Sequence, residues 1–466
     1  MSILKTKELN KIGYINDQAR SLALNITAKY FKHHSKTDVV ELLTNIKNNP
    51  EAYINDPVTG KIAATFLDRE IEREFQTFSL LGETGRLKIY GGKEIEASAR
   101  KQMELAMSLP VVIQGALMPD AHTGYGLPIG GVLATNNAVI PFAVGVDIGC
   151  RMALTIIDES DSFFKSDGHR MKLALRKHTH FGMEGGLEVT PEHEVLDSQV
   201  FKLTEMLKRL QGKAARQLGS SGSGNHFVEF GSVVLHENNT LGLPGRNYLA
   251  LLSHSGSRGL GANIARHYTR VAMDTCKLPR EAQQLAWLDM NSEAGQEYWL
   301  SMNLAGDYAK ACHDCIHASL LKSLGLKALA VVENHHNFAW KEALPDGKEV
   351  IVHRKGATPA HVGEPGIIPG SMTEAAYLVT GKGIANSLFS ASHGAGRAMS
   401  RQRARENMTV SGMKQMLVTA GVELIGGSVE ENPLAYKDIE QVIAAQSDLI
   451  DIQGRFQPRI VWMNKD

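Results

Sequence analysis

Cysteine is scarce, with four in 466 residues, and so few thiols in so long a chain do not make a disulfide framework. Two of them form Cys312-His-Asp-Cys315, but no second CxxC is present to complete a zinc site. That pair lies in a helix-like stretch, Gly295 to Leu324, and reads as ordinary helix residues, as does Cys276. Net charge is also missing. Fifty basic residues cancel fifty acidic ones, so bulk charge neither requires nor excludes a nucleic-acid partner, and any polyanion site must be local. No apolar run approaches the ~20 residues of a membrane span. The start, Met1-Ser-Ile-Leu-Lys-Thr-Lys7, lacks the apolar core of a signal peptide, so the expectation is a cytoplasmic protein without membrane contact. Neither GxGxxG nor GxxxxGKS occurs, and no repeat of 20 to 50 residues is visible, which argues against the common nucleotide folds and against solenoids.

Glycine, in contrast, is abundant and clustered. Residues 1 to 75 are helix-forming, lysine-rich and almost free of it. They read as a helical amino-terminal extension, with helices near Ile15 to Phe31 and Val39 to Asn48 and a solvated His33-His34 pair. Residues 76 to 466 alternate strands and helices irregularly, with helices near Ile95 to Leu109, Met171 to His178, Glu194 to Gln217, Leu260 to Cys276, Gly295 to Leu324, Gly396 to Glu406 and Tyr436 to Ser447. A long glycine-rich connection is expected at 353 to 383. The fold class is therefore mixed α/β, one large catalytic domain with mixed sheets behind a helical extension.

The densest glycine punctuation lies in Met118-Pro-Asp-Ala-His-Thr-Gly-Tyr-Gly-Leu-Pro-Ile-Gly-Gly-Val132 and Gly145-Val-Asp-Ile-Gly-Cys-Arg-Met152. Such runs mark backbone that turns sharply or approaches a ligand closely, and these hold Asp120, His122, Asp147 and Cys150. Three histidines follow at the mouths of apolar strands. His226 stands in Gly222-Ser-Gly-Asn-His-Phe-Val-Glu229, His254 in Ser253-His-Ser-Gly-Ser-Arg-Gly259, and His336 in Glu333-Asn-His-His-Asn-Phe338. An Asp, a Cys and three His are a ligand set for one or two divalent ions, with a thiolate able to bridge two; these ligand types suit zinc, iron or manganese alike. Asp120 and His122 either orient a ligand or hold the glycine loop. Glu333 and His335 read as supporting residues, and His178, His180, His193, His313 and His317 carry no spacing that favours chemistry. In Ser392-His-Gly-Ala-Gly-Arg-Ala-Met-Ser-Arg401 a histidine precedes a glycine turn, then Arg397 and Arg401 stand four apart, as on one helical face that could bind phosphate.

In order along the chain, MPDAHTGYGLPIGGV, GVDIGC, GSGNHFVE, SHSGSRG, HHN, HRKGAT, PGSM and SHGAGRAMSR resemble the RtcB family of RNA-splicing ligases over roughly residues 110 to 400. The resemblance implies two Mn²⁺ ions, one held by Asp147, Cys150 and His226 and the other by Cys150, His254 and His336. It implies GTP as cofactor and His393 as the nucleophile that takes GMP from it. The guanylate site would comprise Asn225, His226, Phe227, Val228, Glu229, His336, Asn337, Pro369, Gly370, Ser371, Met372, Ala376, His393, Gly394, Ala395 and Gly396. Arg258, Arg397, Arg401 and Asn225 would hold the RNA phosphate. The implied reaction joins an RNA 3′-phosphate or 2′,3′-cyclic phosphate end to a 5′-hydroxyl end, in RNA repair or tRNA splicing, with an archease-type activator as a further partner. The chain departs from the family pattern at Arg151, Lys213, Ser220-Ser221, Thr358-Pro359, Thr373, Ala376 and Met463, none of them a metal ligand or the nucleophile. Two other readings stay open: an RNA-end-binding protein without catalysis, and a metal-dependent cyclic phosphodiesterase that does not ligate.

Overall fold

The computed structural model describes residues 4, 6–14, 17–31, 34–67, 75–82, 86–182 and 190–465. The chain divides into two compact units, Met1–Phe75 and Gln76–Asp466.

The first unit is helical, with Thr6–Lys11, Asp17–Tyr30, Lys36–Asn48 and Gly60–Leu67. Ser35 caps the third helix by accepting the Asp38 N–H at 3.2 Å. Leu9, Tyr14, Ala23, Val39, Leu43, Ile46 and Ile62 build the core. The buried Tyr14 hydroxyl donates to the Leu43 carbonyl at 2.8 Å, which satisfies its polar end inside that apolar packing. Ile15 and His33 lie outside the described residues.

The second unit carries two large sheets. The larger has eight strands. They run in the order Ala328–His335, Arg151–Ile157, Asn247–Ser255, Phe227–Leu235, Ile450–Met463, Ala376–Gly381 and Pro365–Pro369, with Glu423–Gly426 paired in parallel to Ile450–Met463. The smaller runs Asn337–Ala343, Glu349–Lys355, Ile129–Thr135, Val112–His122 and Arg86–Ile89. Alternation of side chains along each strand decides what each face of the larger sheet does. Val228 pairs Ser253 and Phe230 pairs Leu251. On that face Val228, Phe230, Leu249 and Leu251 pack against Met171 and Leu175 of helix Phe163–His178 and against Ile316 and Leu320 of helix Glu293–Leu324. Phe227, Glu229, Leu252 and His254, one residue out of step, face the other way. The long helix starts at Ser292, whose hydroxyl accepts the Gly295 N–H at 3.0 Å, and ends at Gly325 in the left-handed conformation, φ 70°.

Several sequence expectations are corrected. Glu194 to Gln217 is not one helix. Ser198 and Thr204 each cap a new start, giving short 3₁₀ turns at Glu194–Asp197 and Gln199–Lys202 before helix Glu205–Gln217. The stretch 353 to 383 is not a connection: it holds the end of Glu349–Lys355 and the strands Ala357–Pro359, Pro365–Pro369 and Ala376–Gly381. Its glycines turn the chain between strands. The helix expected from Gly396 begins only at Arg401, capped by Ser400, and that expected from Tyr436 to Ser447 shrinks to Ile439–Ala444, capped by Asp438. The helix expected from Met171 starts earlier, at Phe163. Among the described residues no helix is long and apolar enough to cross a membrane.

Candidate active site

Strand ends deliver the five expected ligand residues to one place. Cys150 directly precedes Arg151–Ile157, His226 directly precedes Phe227–Leu235, His254 is the penultimate residue of Asn247–Ser255, and His336 links Ala328–His335 to Asn337–Ala343. Asp147 Oδ2 lies 3.1 Å from His226 Nε2. Cys150 Sγ is 3.3 Å from that nitrogen and 3.2 Å from His254 Nε2, which is 3.3 Å from His336 Nε2. The result is two triads sharing one thiol, Asp147–Cys150–His226 and Cys150–His254–His336, each with its donor atoms within 4.8 Å of one another.

The donor chemistry fits divalent cations. His254 Nδ1 sits 3.1 Å from the Asn225 carbonyl; a carbonyl only accepts, so Nδ1 carries the hydrogen and Nε2 presents its lone pair to the cluster. Burial, and then the charge of His226, pushes the His254 imidazole down to about 3. Burial pushes His336 well below its ordinary value as well. Burial alone would raise the Asp147 carboxyl, but the hydrogen bond and charge of His226 outweigh it and hold the group below its ordinary value. The Cys150 thiol is pushed well up by burial and by Asp147, and a bound cation is what would reverse that and favour the thiolate. Two glycines leave room for this packing: a Cβ at Gly256 would fall 2.1 Å from Asp147 Oδ1, and one at Gly222 1.8 Å from His226 Nδ1.

His393 stands beside the cluster, its ring 4.9 Å from that of His336 between centroids. Its partner is Asp120, on strand Val112–His122. Asp120 Oδ2 accepts both from His393 Nδ1, at 2.6 Å, and from the His393 backbone N–H, at 3.2 Å. Burial would raise the Asp120 carboxyl, yet the charge and hydrogen bond of His393, then Lys437 and His122, hold it below its ordinary value. Lys437 Nζ donates to the carbonyls on either side, Pro119 at 3.1 Å and Ala121 at 2.8 Å. In the neutral imidazole, an ionised carboxylate at Nδ1 keeps the ring hydrogen there and leaves the Nε2 lone pair free. Of the two residues whose role the sequence left open, Asp120 thus orients His393, while His122 Nδ1 lies 3.1 Å from the Asp120 carbonyl.

A cleft opens from this point. Its walls include Asn225, Phe227, Glu229, His336, Pro369, Gly370, Ser371, Met372, Ala376, His393, Gly394, Ala395 and Gly396. His226 and Asn337 line an adjoining cleft together with Asp147, Cys150 and Lys355. Val228 lines neither: strand alternation turns its side chain into the helix-covered core. Asn337 acts as a brace, its amide donating to the Asp147 carbonyl at 3.2 Å and accepting the Gly356 N–H at 2.9 Å.

Of the three arginines expected to hold phosphate, Arg397 and Arg401 border the cleft and Arg258 does not. Arg397 lies outside the helix, so it shares no helical face with Arg401. Its guanidinium is already engaged by Glu431 at 2.7 Å, the Glu430 carbonyl at 2.8 Å and the Met399 carbonyl at 3.2 Å. Arg258 donates to Ser220 Oγ at 3.2 Å and to the Gly182 carbonyl and lines neither cleft. Arg401, with its side chain 58% exposed and only 3.7–3.8 Å pairings to Glu431 and Glu430, borders the cleft with donors to spare. Sequence reasoning missed Glu431, whose buried Oε1 has no hydrogen-bond partner at the cleft wall. It also missed Lys355, which burial pushes down to about 7. The HRKGAT segment was the signal for Lys355; for Glu431 there was none.

The family model for the tRNA-splicing ligase RtcB matches residues 102–464. The RNA-splicing ligase RtcB of Escherichia coli strain K12 is 33% identical over 397 residues, covering 78% of this chain and 93% of its own. The tRNA-splicing ligase RtcB of Nanoarchaeum equitans is 32% identical over 424 residues, covering 75% and 88%. The RNA-splicing ligase RtcB of Mycobacterium tuberculosis is 31% identical over 419 residues, covering 75% and 97%.

Proposed function

The chain belongs to the RtcB family of RNA ligases, and from that premise we propose that it joins RNA 3′-phosphate or 2′,3′-cyclic phosphate ends to 5′-hydroxyl ends through a guanylylated His393. The observation that carries this reading is the Asp120–His393 pair, which leaves one imidazole nitrogen free at the junction of the donor cluster and the cleft. Asp147, Cys150 and His226 would hold one Mn²⁺, and Cys150, His254 and His336 a second. Bound there, the ions would supply neutralisation of charge on phosphoryl oxygens.

His393 Nε2 attacks the α-phosphorus of GTP, a phosphoramidate forms, and pyrophosphate leaves as the P–O bond breaks. Throughout, Asp120 keeps the ring hydrogen on Nδ1 and stabilises the positive charge that develops on the imidazole. An RNA 3′-phosphate oxygen then attacks the same phosphorus, the P–N bond breaks, and its electron pair returns to Nε2. A cyclic phosphate end is first hydrolysed to the 3′-phosphate. The GMP transfer gives the poorly electrophilic 3′-phosphorus a good leaving group, so that finally the 5′-hydroxyl oxygen attacks it, its proton passes to solvent, and the P–O bond to GMP breaks. Arg401 is suited to hold the RNA phosphate, and the wall of Phe227, Met372, Ala376 and Met463 with Glu229 is suited to hold the base.

Incubation with α-labelled GTP and Mn²⁺ tests the reading. The expected result is an acid-labile covalent adduct in the wild type and none in His393→Ala, with the mutant still sealing RNA that already carries a 3′-diphosphate-linked guanosine. The apolar character of Ala376 and Met463 at the base wall favours a second reading, binding of RNA ends without catalysis. Absence of any wild-type adduct would select it.

A further inference from the structure

Behind His254, on the opposite face of the same sheet, four buried side chains form an unbroken hydrogen-bonded chain that the reaction does not use. Thr155 Oγ1 lies 2.7 Å from His317 Nδ1, and His317 Nε2 lies 2.7 Å from Ser253 Oγ. Ser253 Oγ is in turn 2.6 Å from His313 Nδ1, whose Nε2 is 3.2 Å from the Ser255 carbonyl. Thr155, Ser253 and His313 are at most 1% exposed and His317 is 7% exposed. Burial pushes the His317 imidazole down to about 3 and His313 well below its ordinary value, so both rings are neutral.

The last acceptor dictates the direction of every bond. A carbonyl cannot donate, so His313 Nε2 carries its hydrogen and Nδ1 accepts from the Ser253 hydroxyl. With its one hydrogen so used, Ser253 Oγ accepts from His317 Nε2–H, and His317 Nδ1 accepts from Thr155. One arrangement of hydrogens satisfies the chain. His313 and His317 stand four apart and so present one face of helix Glu293–Leu324, while Ser253 and Ser255 flank His254 in strand Asn247–Ser255. Because side chains alternate along a strand, pinning those two serine positions from behind sets the height of His254 in front.

We propose that Thr155, His317, Ser253 and His313 are positioning residues that lock strand Asn247–Ser255 to the long helix and so hold His254 Nε2 over Cys150 and His336. The metal consequence rests on the reading of His254 as a ligand; the positioning itself does not. In Ser253→Ala, His313 Nδ1 loses its donor and His317 Nε2–H its acceptor. Leu320→Ala, on the same helix and buried in the neighbouring apolar cluster, disturbs packing while removing none of the chain's hydrogen bonds.

The test uses the full-length protein with ¹⁵N-labelled histidine. His313 and His317 should both be Nε2–H tautomers, and Ser253→Ala should shift the His254 ring signals while Leu320→Ala leaves them in place. In a titration with Mn²⁺ alone, Ser253→Ala should weaken one of two binding equivalents by at least about tenfold, with Leu320→Ala like the wild type. An Nδ1–H tautomer at either ring, His254 signals unmoved in Ser253→Ala, or equal shifts in both variants would overturn the proposal. So would unchanged Mn²⁺ binding in Ser253→Ala where the wild type takes up two ions. A wild type that binds fewer than two ions would instead sink the metal reading, and the tautomers and His254 signals would still decide the positioning.

Discussion

Replacing Asp120 by Asn keeps the size of the side chain and removes its charge. In the wild type one carboxylate oxygen holds two donors of His393, the ring Nδ1–H at 2.6 Å and the backbone N–H at 3.2 Å. A hydrogen bond to a charged group contributes about 1.5–3 kcal/mol, so weakening the ring bond alone predicts a loss of roughly 10- to 150-fold in the step that puts positive charge on the imidazole. The amide can also turn its NH₂ toward Nδ1, which moves the ring hydrogen to Nε2 and extinguishes the nucleophilic lone pair; in a catalytic His–Asp pair that tautomer error costs about 10⁴-fold. Guanylylation by Asp120→Asn should therefore fall by about 10- to 10⁴-fold, read as the single-turnover rate of label transfer from GTP. Sealing of RNA already carrying the diphosphate-linked guanosine should be unchanged, because that step asks nothing of His393. Wild-type labelling by the variant, or an equal fall in both steps with an unchanged fold, would refute the orienting role of Asp120.

Cys150 belongs to both triads, so Cys150→Ala should lose both Mn²⁺ equivalents in a metal-content assay, whereas His254→Ala should keep one; equal metal in Cys150→Ala and wild type refutes the shared thiol. Because the buried Cys150 thiol is held protonated, metal uptake near neutral pH should release a proton, seen as a dependence of the binding heat on the ionisation enthalpy of the buffer, and its absence would mean that Cys150 is not a ligand. Arg397→Ala should destabilise the fold by about 1.5–3 kcal/mol, since it removes the closest charged donor from the buried Glu431 and leaves it the Tyr436 hydroxyl and the longer Arg401 pairing. Arg401→Ala should leave thermal unfolding unchanged but weaken binding of 3′-phosphate RNA by about 1.5–3 kcal/mol, as expected for one charged hydrogen bond. The folded Asp120 carboxyl lies below its ordinary 3.8, so it stabilises the fold at neutral pH and that stability is lost as pH falls below about 3.8 toward the folded value. An acid-unfolding curve should therefore be flatter in Asp120→Asn.

Much of the site was legible because the chain marks it locally. Cys150, His226, His254 and His336 each stand where an apolar strand meets glycine or asparagine, and strand ends are where side chains from distant segments gather. The same period-two alternation separates Phe227 and Glu229 from Val228, which the resemblance placed in the guanylate site and which the strand turns into the core. The end of the long helix was placed at Leu324, before Gly325, as the structure has it, whereas its start was placed at Gly295, inside the true start at Glu293 that Ser292 caps. Where 3₁₀ turns intervened, at 194–202, a continuous helical period concealed the breaks made by Ser198 and Thr204.

The types of the candidate donor residues, their order along the chain and the mixed α/β class were thus determined by the sequence alone, since they depend on residue identity and short-range period. What only the tertiary structure decided are pairings across long separations. Asp120 meets His393 from 273 positions away. Glu431 claims Arg397 from 34 positions away, leaving Arg401 as the arginine with donors free. His313 and His317, unremarkable on their own helix, become a directed chain only when strand Asn247–Ser255 packs against them. Each of these outcomes turns on which acceptor comes within hydrogen-bond reach of which donor in a desolvated interior. That is a property of packing, and no window of sequence contains both partners.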